Sequence, residues 1–249
     1  MNIRIDQVPV IILCGGKGVY IDDSGQRWNK GLVTIDGLPM VAHVMRLYAR
    51  AGFRRFLLST GIQSADFEEV LADLRRRALF PSDLAYEIRE TGEQSTTWPR
   101  IAAWEPQLKE TATFGIAYCD SLMDIDLAMA LRSHLTRGKI LSLAAVFQPT
   151  RFRLLGLRPP DPIVRGFAEQ PILRSDRING GFYFATPKLF DWARTIAQNQ
   201  QTLLSLEGKV LETLVEARQV ASYLVDGEFR CLDAERDIEP MVRLVAQVA

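Results

Sequence analysis

The chain has 249 residues, 47% hydrophobic and 24% charged, the make-up of a water-soluble globular protein long enough for a substantial core. Thirty basic residues balance thirty acidic ones, so no overall field draws the protein to nucleic acid or an anionic membrane, and a charged ligand must be held by local groups. No apolar run approaches the roughly 20 residues of a membrane helix, and residues 1–6 lack the basic and apolar regions of a signal peptide, so a cytoplasmic protein is expected.

Residues 10–13 are apolar and β-branched, which predicts a strand buried on both faces of a parallel sheet. Gly15, Gly16 and Gly18 follow and let the backbone turn sharply and bring its N–H groups close to a ligand, the way a loop cradles phosphates. The nucleotide-hydrolase P-loop does not fit, because Lys17 lies inside the glycine cluster and Val19-Tyr20 follows it. The dinucleotide fingerprint fails as well, since Ile21 takes its last glycine position and the next apolar run ends in Ser59-Thr60 with no carboxylate for a ribose.

Asp36-Gly37 signals a tight turn, and apolar positions at Val41, Val44, Met45, Leu47 and Tyr48 predict an amphipathic helix stopped by Gly52. Residues 53–58 read as a second parallel strand, 64–78 as a helix capped by Ser64, 84–88 as a third strand and 91–97 as a polar loop. A helix over 100–108 and a strand over 114–118 lead to Asp120, at the strand end where open α/β sheets bind ligands. Asp124 and Asp126 are expected to cap the helix over 127–135, and His43 and His134 to be structural. Residues 140–147 form another apolar run. Segments 163–167 and 181–185 are expected to pair as antiparallel strands, and helices are expected over 189–197, 208–217 and from Ile238, with a strand at 220–224. Cys14, Cys119 and Cys231 could gather around one site, but small buried side chains are expected rather than a thiolate metal centre. Alternating strands and helices predict an α/β fold with a doubly wound, mostly parallel sheet and a small C-terminal β/α lobe.

Leu13-Cys14-Gly15-Gly16-Lys17-Gly18, followed by Asn29-Lys30-Gly31, resembles the opening signature of the sugar-phosphate nucleotidyltransferases. The likeness is nearest to the glucose-1-phosphate cytidylyltransferase branch. Thr91-Gly92-Glu93 with Thr97 and Arg100, Tyr118-Cys119-Asp120 with Asp124-Ile125-Asp126, Ile178-Asn179-Gly180-Gly181-Phe182, and Asp226-Gly227 with Leu232-Asp233 and Arg236-Asp237 stand in the order of that branch's motifs. The resemblance implies a Rossmann-like nucleotidyltransferase fold as a single domain over 1–249, with 1–148 the nucleotide-binding part and 149–249 the sugar-binding lobe and closing helices. It implies that a nucleoside triphosphate, CTP favoured, and a sugar 1-phosphate are the partners, with Mg²⁺ as cofactor, no nucleic acid or membrane, and a homo-oligomer left open.

By the same resemblance Lys30 and Asp120 are catalytic, Asp120 and Asp233 hold the metal, and Leu13, Gly15, Gly16, Gly18, Thr91, Gly92 and Arg100 contact the nucleotide. Glu169, Asn179 and Gly180 contact the sugar. Four departures fall at ligand positions: Tyr20 replaces an arginine that supports the triphosphate, Asn29 and Gly31 replace prolines beside Lys30, Trp98-Pro99 replaces Gly-Gly, and Gln170 replaces a lysine. Lys17 or Arg27 is the candidate to stand in for the arginine. The departures also keep a second reading open, a catalytically degenerate relative that binds nucleotide or sugar nucleotide as a sensor or partner subunit.

Overall fold

The strand Pro9–Cys14 (β1) is buried at every position, as six apolar residues in a row require. In the computed structural model, which describes residues 3–16, 19–21, 25, 27–149, 154–158, 161–168, 172–199 and 204–248, β1 has a parallel neighbour on each side. One is Arg55–Thr60 (β2), itself parallel to Ala85–Glu90 (β3); the other is Phe114–Tyr118 (β4). Leu141–Pro149 (β5), Ile172–Ala185 (β6) and Val220–Leu224 (β7) extend this sheet to the order β7-β5-β6-β4-β1-β2-β3. Only β6 runs against the rest: it is antiparallel to β5 and β4, whereas β7 is parallel to β5.

Alternate residues of β1 feed two cores. Val10, Ile12 and Cys14 meet the helices Met40–Arg50 (α1) and Ser64–Arg76 (α2), while Ile11 and Leu13 face Thr97–Ala102 (α3) and Glu105–Leu108 (α4). The first core also takes Leu127–Arg137 (α5) and the second Lys188–Asn199 (α6) and Leu211–Glu216 (α7), while Ile238–Val248 (α8) closes the first. Each fully buried aliphatic side chain contributes roughly 1.5–3 kcal/mol over its exposed state, so two such layers hold the carboxyl edge of the sheet rigid. None of the described helices is long and apolar enough to cross a membrane.

Several expected elements take a different form. Asp161–Ala168, which contains 163–167, pairs not with 181–185 but with Leu154–Arg158 as a separate ribbon, and β6 runs for 14 residues inside the main sheet. Ser64 does not cap α2: Gln63 stands at the cap in a left-handed conformation, φ 59°, and the Ser64 hydroxyl bonds that of Thr60. The helix expected over 100–108 is two short ones, α3 and α4. Asp126 does cap α5, accepting from the Met129 N–H at 2.8 Å. His43 and His134 are buried, one bonded to the Ile35 carbonyl and the other to the Ser142 hydroxyl.

Candidate active site

Because β1 and β4 are parallel neighbours, the chain leaves both at the same edge, and the loops after Cys14 and Tyr118 lie side by side. Gly15 gives Arg100 its place: a Cβ here would overlap the guanidinium and displace it. Gly16 has φ +132°, open to glycine and strained for other residues. Leu13, the last residue before them on the α3 face, is in the core, its carbonyl accepting from the Cys119 N–H at 3.3 Å.

Lys30 is set by its neighbour. Asn29 is 3% exposed; its amide donates to the Cys14 carbonyl at 2.7 Å, and its side-chain oxygen accepts from the Gly31 N–H at 2.9 Å. The Asn29 N–H donates to Gln63 Oε1 at 2.7 Å. These bonds fix a short 3₁₀ turn, Lys30–Leu32, to the end of β1, so the stiffness that flanking prolines would give comes from a buried side-chain amide. Gly31 leaves room for the Cys119 sulfur, which a Cβ would approach to 2.9 Å.

Lys30 Nζ lies 2.7 Å from Asp233 Oδ1 and 3.5 Å from Asp120 Oδ2. Residues 120 and 233 are far apart in the chain, and an antiparallel ribbon, Ser121–Met123 with Phe229–Cys231, brings them together. The Leu232 N–H donates to the Asp120 carbonyl at 2.8 Å, and the Asp237 carboxylate accepts from the N–H groups of Asp233 and Ala234, both at 2.8 Å. Burial pushes the Asp120 carboxyl above its usual range, with the Lys30 charge pulling the other way and Asp233 adding to the rise. Burial also opposes the charge on Lys30, but the bond to Asp233 and the two carboxylate charges outweigh it and raise its pKa. Two carboxylates thus face one ammonium at this edge, and among the described residues there is no group of three or more histidine, cysteine or acidic side chains that could hold a metal ion.

Arg100 sits below this edge, 1% exposed, its guanidinium turned toward the loop after β3. It donates to the Thr60 carbonyl at 3.0 Å, to Thr91 Oγ1 at 2.7 Å, and to the carbonyls of Gly92, Glu93 and Ser95 at 2.8, 3.3 and 3.1 Å. The guanidinium thus gathers the 91–95 loop, including Gly92 at φ +86°, against the glycine turn. Thr91 is further tied to the Thr60 carbonyl at 2.8 Å.

On β6, Gly180 and Gly181 let the strand pass close to the Asp120 loop: a Cβ at 180 would be 2.9 Å from Met123 Cε, and one at 181 only 2.7 Å from the Tyr118 ring. Asn179 is exposed, donates to the Tyr183 hydroxyl at 2.6 Å and accepts from the Gly181 N–H at 3.1 Å. The Tyr118 hydroxyl bonds Glu207, whose other oxygen accepts from Thr97 Oγ1 at 2.7 Å. Burial, with the Tyr183 and Glu207 charges adding to it, pushes the Tyr118 pKa upward, so it stays a neutral donor. The sequence offered Asn29 only in the place of a proline and did not point to Gln63 or Glu207, whose partners Asn29, Thr97 and Tyr118 lie in distant segments. Tyr20 is 8% exposed and opposite Trp28 across a hairpin, Val19–Ile21 with Arg27–Asn29, in which Arg27 is exposed. Gly18, Lys17, Glu169 and Gln170 lie outside the described residues. Cys14 and Cys119 are buried free thiols and Cys231 is half-buried.

The chain is similar to the glucose-1-phosphate cytidylyltransferase of Salmonella typhimurium, 27% identical over 246 residues that cover 91% of each chain. It is also similar to the mannose-1-phosphate guanyltransferase of Schizosaccharomyces pombe, 23% identical over 91% of this chain and 61% of that one. Its fold matches the crystal structure of HddC from Yersinia pseudotuberculosis complexed with GMP-PN, with a TM-score of 0.66 at 17% identity over 95% of this chain and 99% of that one. The sequence model of the nucleotidyl transferase family matches residues 9–230, which take in all seven strands of the main sheet and Asp120 and stop short of Asp233, and the chain belongs to that family.

Proposed function

We propose that the protein transfers a nucleotidyl group from a nucleoside triphosphate, with CTP the first choice, to a sugar 1-phosphate and releases pyrophosphate. The observation that carries this reading is the Lys30–Asp120–Asp233 cluster beside the glycine turn, at the edge where open α/β sheets bind ligands. CTP is favoured by the similarity to the Salmonella cytidylyltransferase. In the reaction a phosphate oxygen of the sugar 1-phosphate bonds the α-phosphorus as the bond from that phosphorus to the pyrophosphate oxygen breaks in line, with no covalent enzyme intermediate.

Positioning and charge neutralisation do most of the work in such a displacement. Lys30 neutralises phosphate, the backbone N–H groups of Gly15 and Gly16 receive the triphosphate, Thr91 and Gly92 border the nucleotide, and Asn179, Gly180 and Glu169 take the sugar. Arg100 acts by holding the 91–95 loop in place. Two carboxylates that already share one cation suit Mg²⁺, which is commonly held by one or two carboxylates with water and substrate phosphate as its other ligands. When bound at Asp120 and Asp233, the ion would neutralise charge on the phosphates.

The test is pyrophosphate release with each of the four ribonucleoside triphosphates, Mg²⁺ and a panel of sugar 1-phosphates. One pair should turn over, and Asp120→Ala should lower the rate by about 10²-fold or more. The second reading, a noncatalytic binder, draws on Tyr20, which fills the arginine position with a buried ring. Silence across the panel, with nucleotide still raising the melting temperature, would select it.

A further inference from the structure

A cavity of about 330 Å³ lies between the ends of α5, α6 and α7, lined by Gly138, Lys139, Thr186, Lys188, Trp192 and Gln219 among others. It sits where β5 and β7 begin and β6 ends, so it is at the edge of the sheet opposite the Lys30 cluster. Its volume falls in the range of small-molecule pockets, roughly 300–1,000 Å³.

Its lining is charged in one sense and partly unsatisfied. Among the described residues neither Lys139 nor Lys188 has an ion-pair partner. The Thr186 hydroxyl oxygen is withdrawn from solvent and has no hydrogen-bond partner among the described residues. It stands at the entry of α6, where the Leu189 N–H bonds the Thr186 carbonyl at 3.0 Å, so the positive end of a 12-residue helix adjoins the same space. The negative helix ends nearby are closed by the chain itself: the Gly138 N–H bonds the His134 carbonyl at 3.2 Å and the Gln219 N–H the Leu214 carbonyl at 2.8 Å. Trp192, one turn into α6, donates its indole N–H to Thr213 Oγ1 at 3.0 Å, which pins the ring as a wall.

We propose that this cavity is a second binding site, for a phosphorylated small molecule. The phosphoryl group meets Lys139, Lys188 and the start of α6, the Thr186 side chain rotates to present its hydroxyl to a phosphate oxygen, and the body of the ligand lies on the Trp192 ring. Thr186 directly follows β6, the strand that carries Asn179 and Gly180, so the occupant borders an element of the candidate active site.

The test uses the full chain labelled with 5-fluorotryptophan and followed by ¹⁹F NMR, with the Trp192 resonance identified by Trp192→Phe. Inorganic phosphate and adenosine 5′-monophosphate are titrated separately against chloride at equal ionic strength. The Trp192 resonance should shift saturably, and Lys139→Gln with Lys188→Gln should weaken that response about tenfold or more while the melting temperature holds. A response to both probes means that phosphate alone is recognised; a response to the nucleotide alone means that the body on Trp192 is needed. No shift with either probe, an equal shift with chloride, or an unchanged shift in the double variant overturns the site.

Discussion

Lys30 faces two claims on one charge. Its ammonium already lies between Asp120 and Asp233, at 3.5 and 2.7 Å, so in the free protein it occupies the space that a divalent ion bound by those carboxylates would need. On the proposed function, a bound triphosphate would offer the ammonium other oxygens and release the pair. Lys30→Met should therefore bind Mn²⁺, a stand-in for Mg²⁺ visible by electron paramagnetic resonance, about tenfold or more tightly in the absence of nucleotide, the worth of one charged hydrogen bond. Asp233→Asn should lose that binding in either background; equal Mn²⁺ affinity in wild type and Lys30→Met would remove the competition. The three members of this cluster were legible in the sequence because each sits in a recognisable motif. Asn29 and Arg100 sit in those motifs too, but the resemblance gave Arg100 to the nucleotide and Asn29 the place of a proline, and neither reading contains the backbone that each holds. Asn29 closes onto the carbonyl of Cys14, and Arg100 onto carbonyls of Thr60 and the 91–95 loop, and no pattern of side-chain types announces a partner that is backbone.

At the scale of elements, α3 is the post on which the 204–216 segment docks. Thr96 donates to the Leu204 carbonyl, Thr97 Oγ1 accepts from the Leu206 N–H at 2.8 Å, and the same hydroxyl donates to Glu207, which reaches on to Tyr118. One hydroxyl thus joins α3, the approach to α7 and, through Glu207, the strand leading to Asp120. The expected helix over 208–217 missed this entry, because Gly208 is non-helical, φ −88° and ψ −120°, and its N–H bonds the Ser205 hydroxyl at 3.1 Å. Such a kink depends on what the segment lies against and leaves no periodicity to read. Thr97→Val keeps the shape but removes both bonds and leaves the buried Leu206 backbone N–H without its partner. The expected cost is about 1–3 kcal/mol in denaturant unfolding, with the Leu206 amide exchanging faster while β1 amides stay protected. Unchanged exchange at Leu206 would mean that the docking rests on apolar packing instead.

At the scale of the whole molecule, the sequence disclosed β1, β2 and β4 because strands buried on both faces must be short apolar runs. The extent and partners of β6 were hidden. Its first half carries Arg174, Ser175, Asp176 and Arg177, which break any apolar alternation, and its 14 residues are aligned by β5 on one side and β4 on the other. His134 records that long-range packing as an acid weakness. It is 1% exposed where α5 crosses β5 and β6, with Nδ1 2.8 Å from the Ser142 hydroxyl and its ring centroid 6.3 Å from that of Phe184. Burial lowers its pKa from 6.5 to about 4. Between those values the unfolded chain takes up a proton that the folded chain refuses, so stability from this group is complete above pH 6.5 and is lost as the pH falls toward 4. By pH 5 the loss should be about 2 kcal/mol. Urea unfolding at pH 7 and pH 5 measures it, and His134→Gln should flatten the difference by that amount. The part due to His43, which burial also holds below its usual pKa, persists in the variant and cancels in the comparison. A pH 7 to pH 5 difference that is the same in both proteins would mean that His134 takes up its proton without opening the sheet, and that α5 yields locally instead.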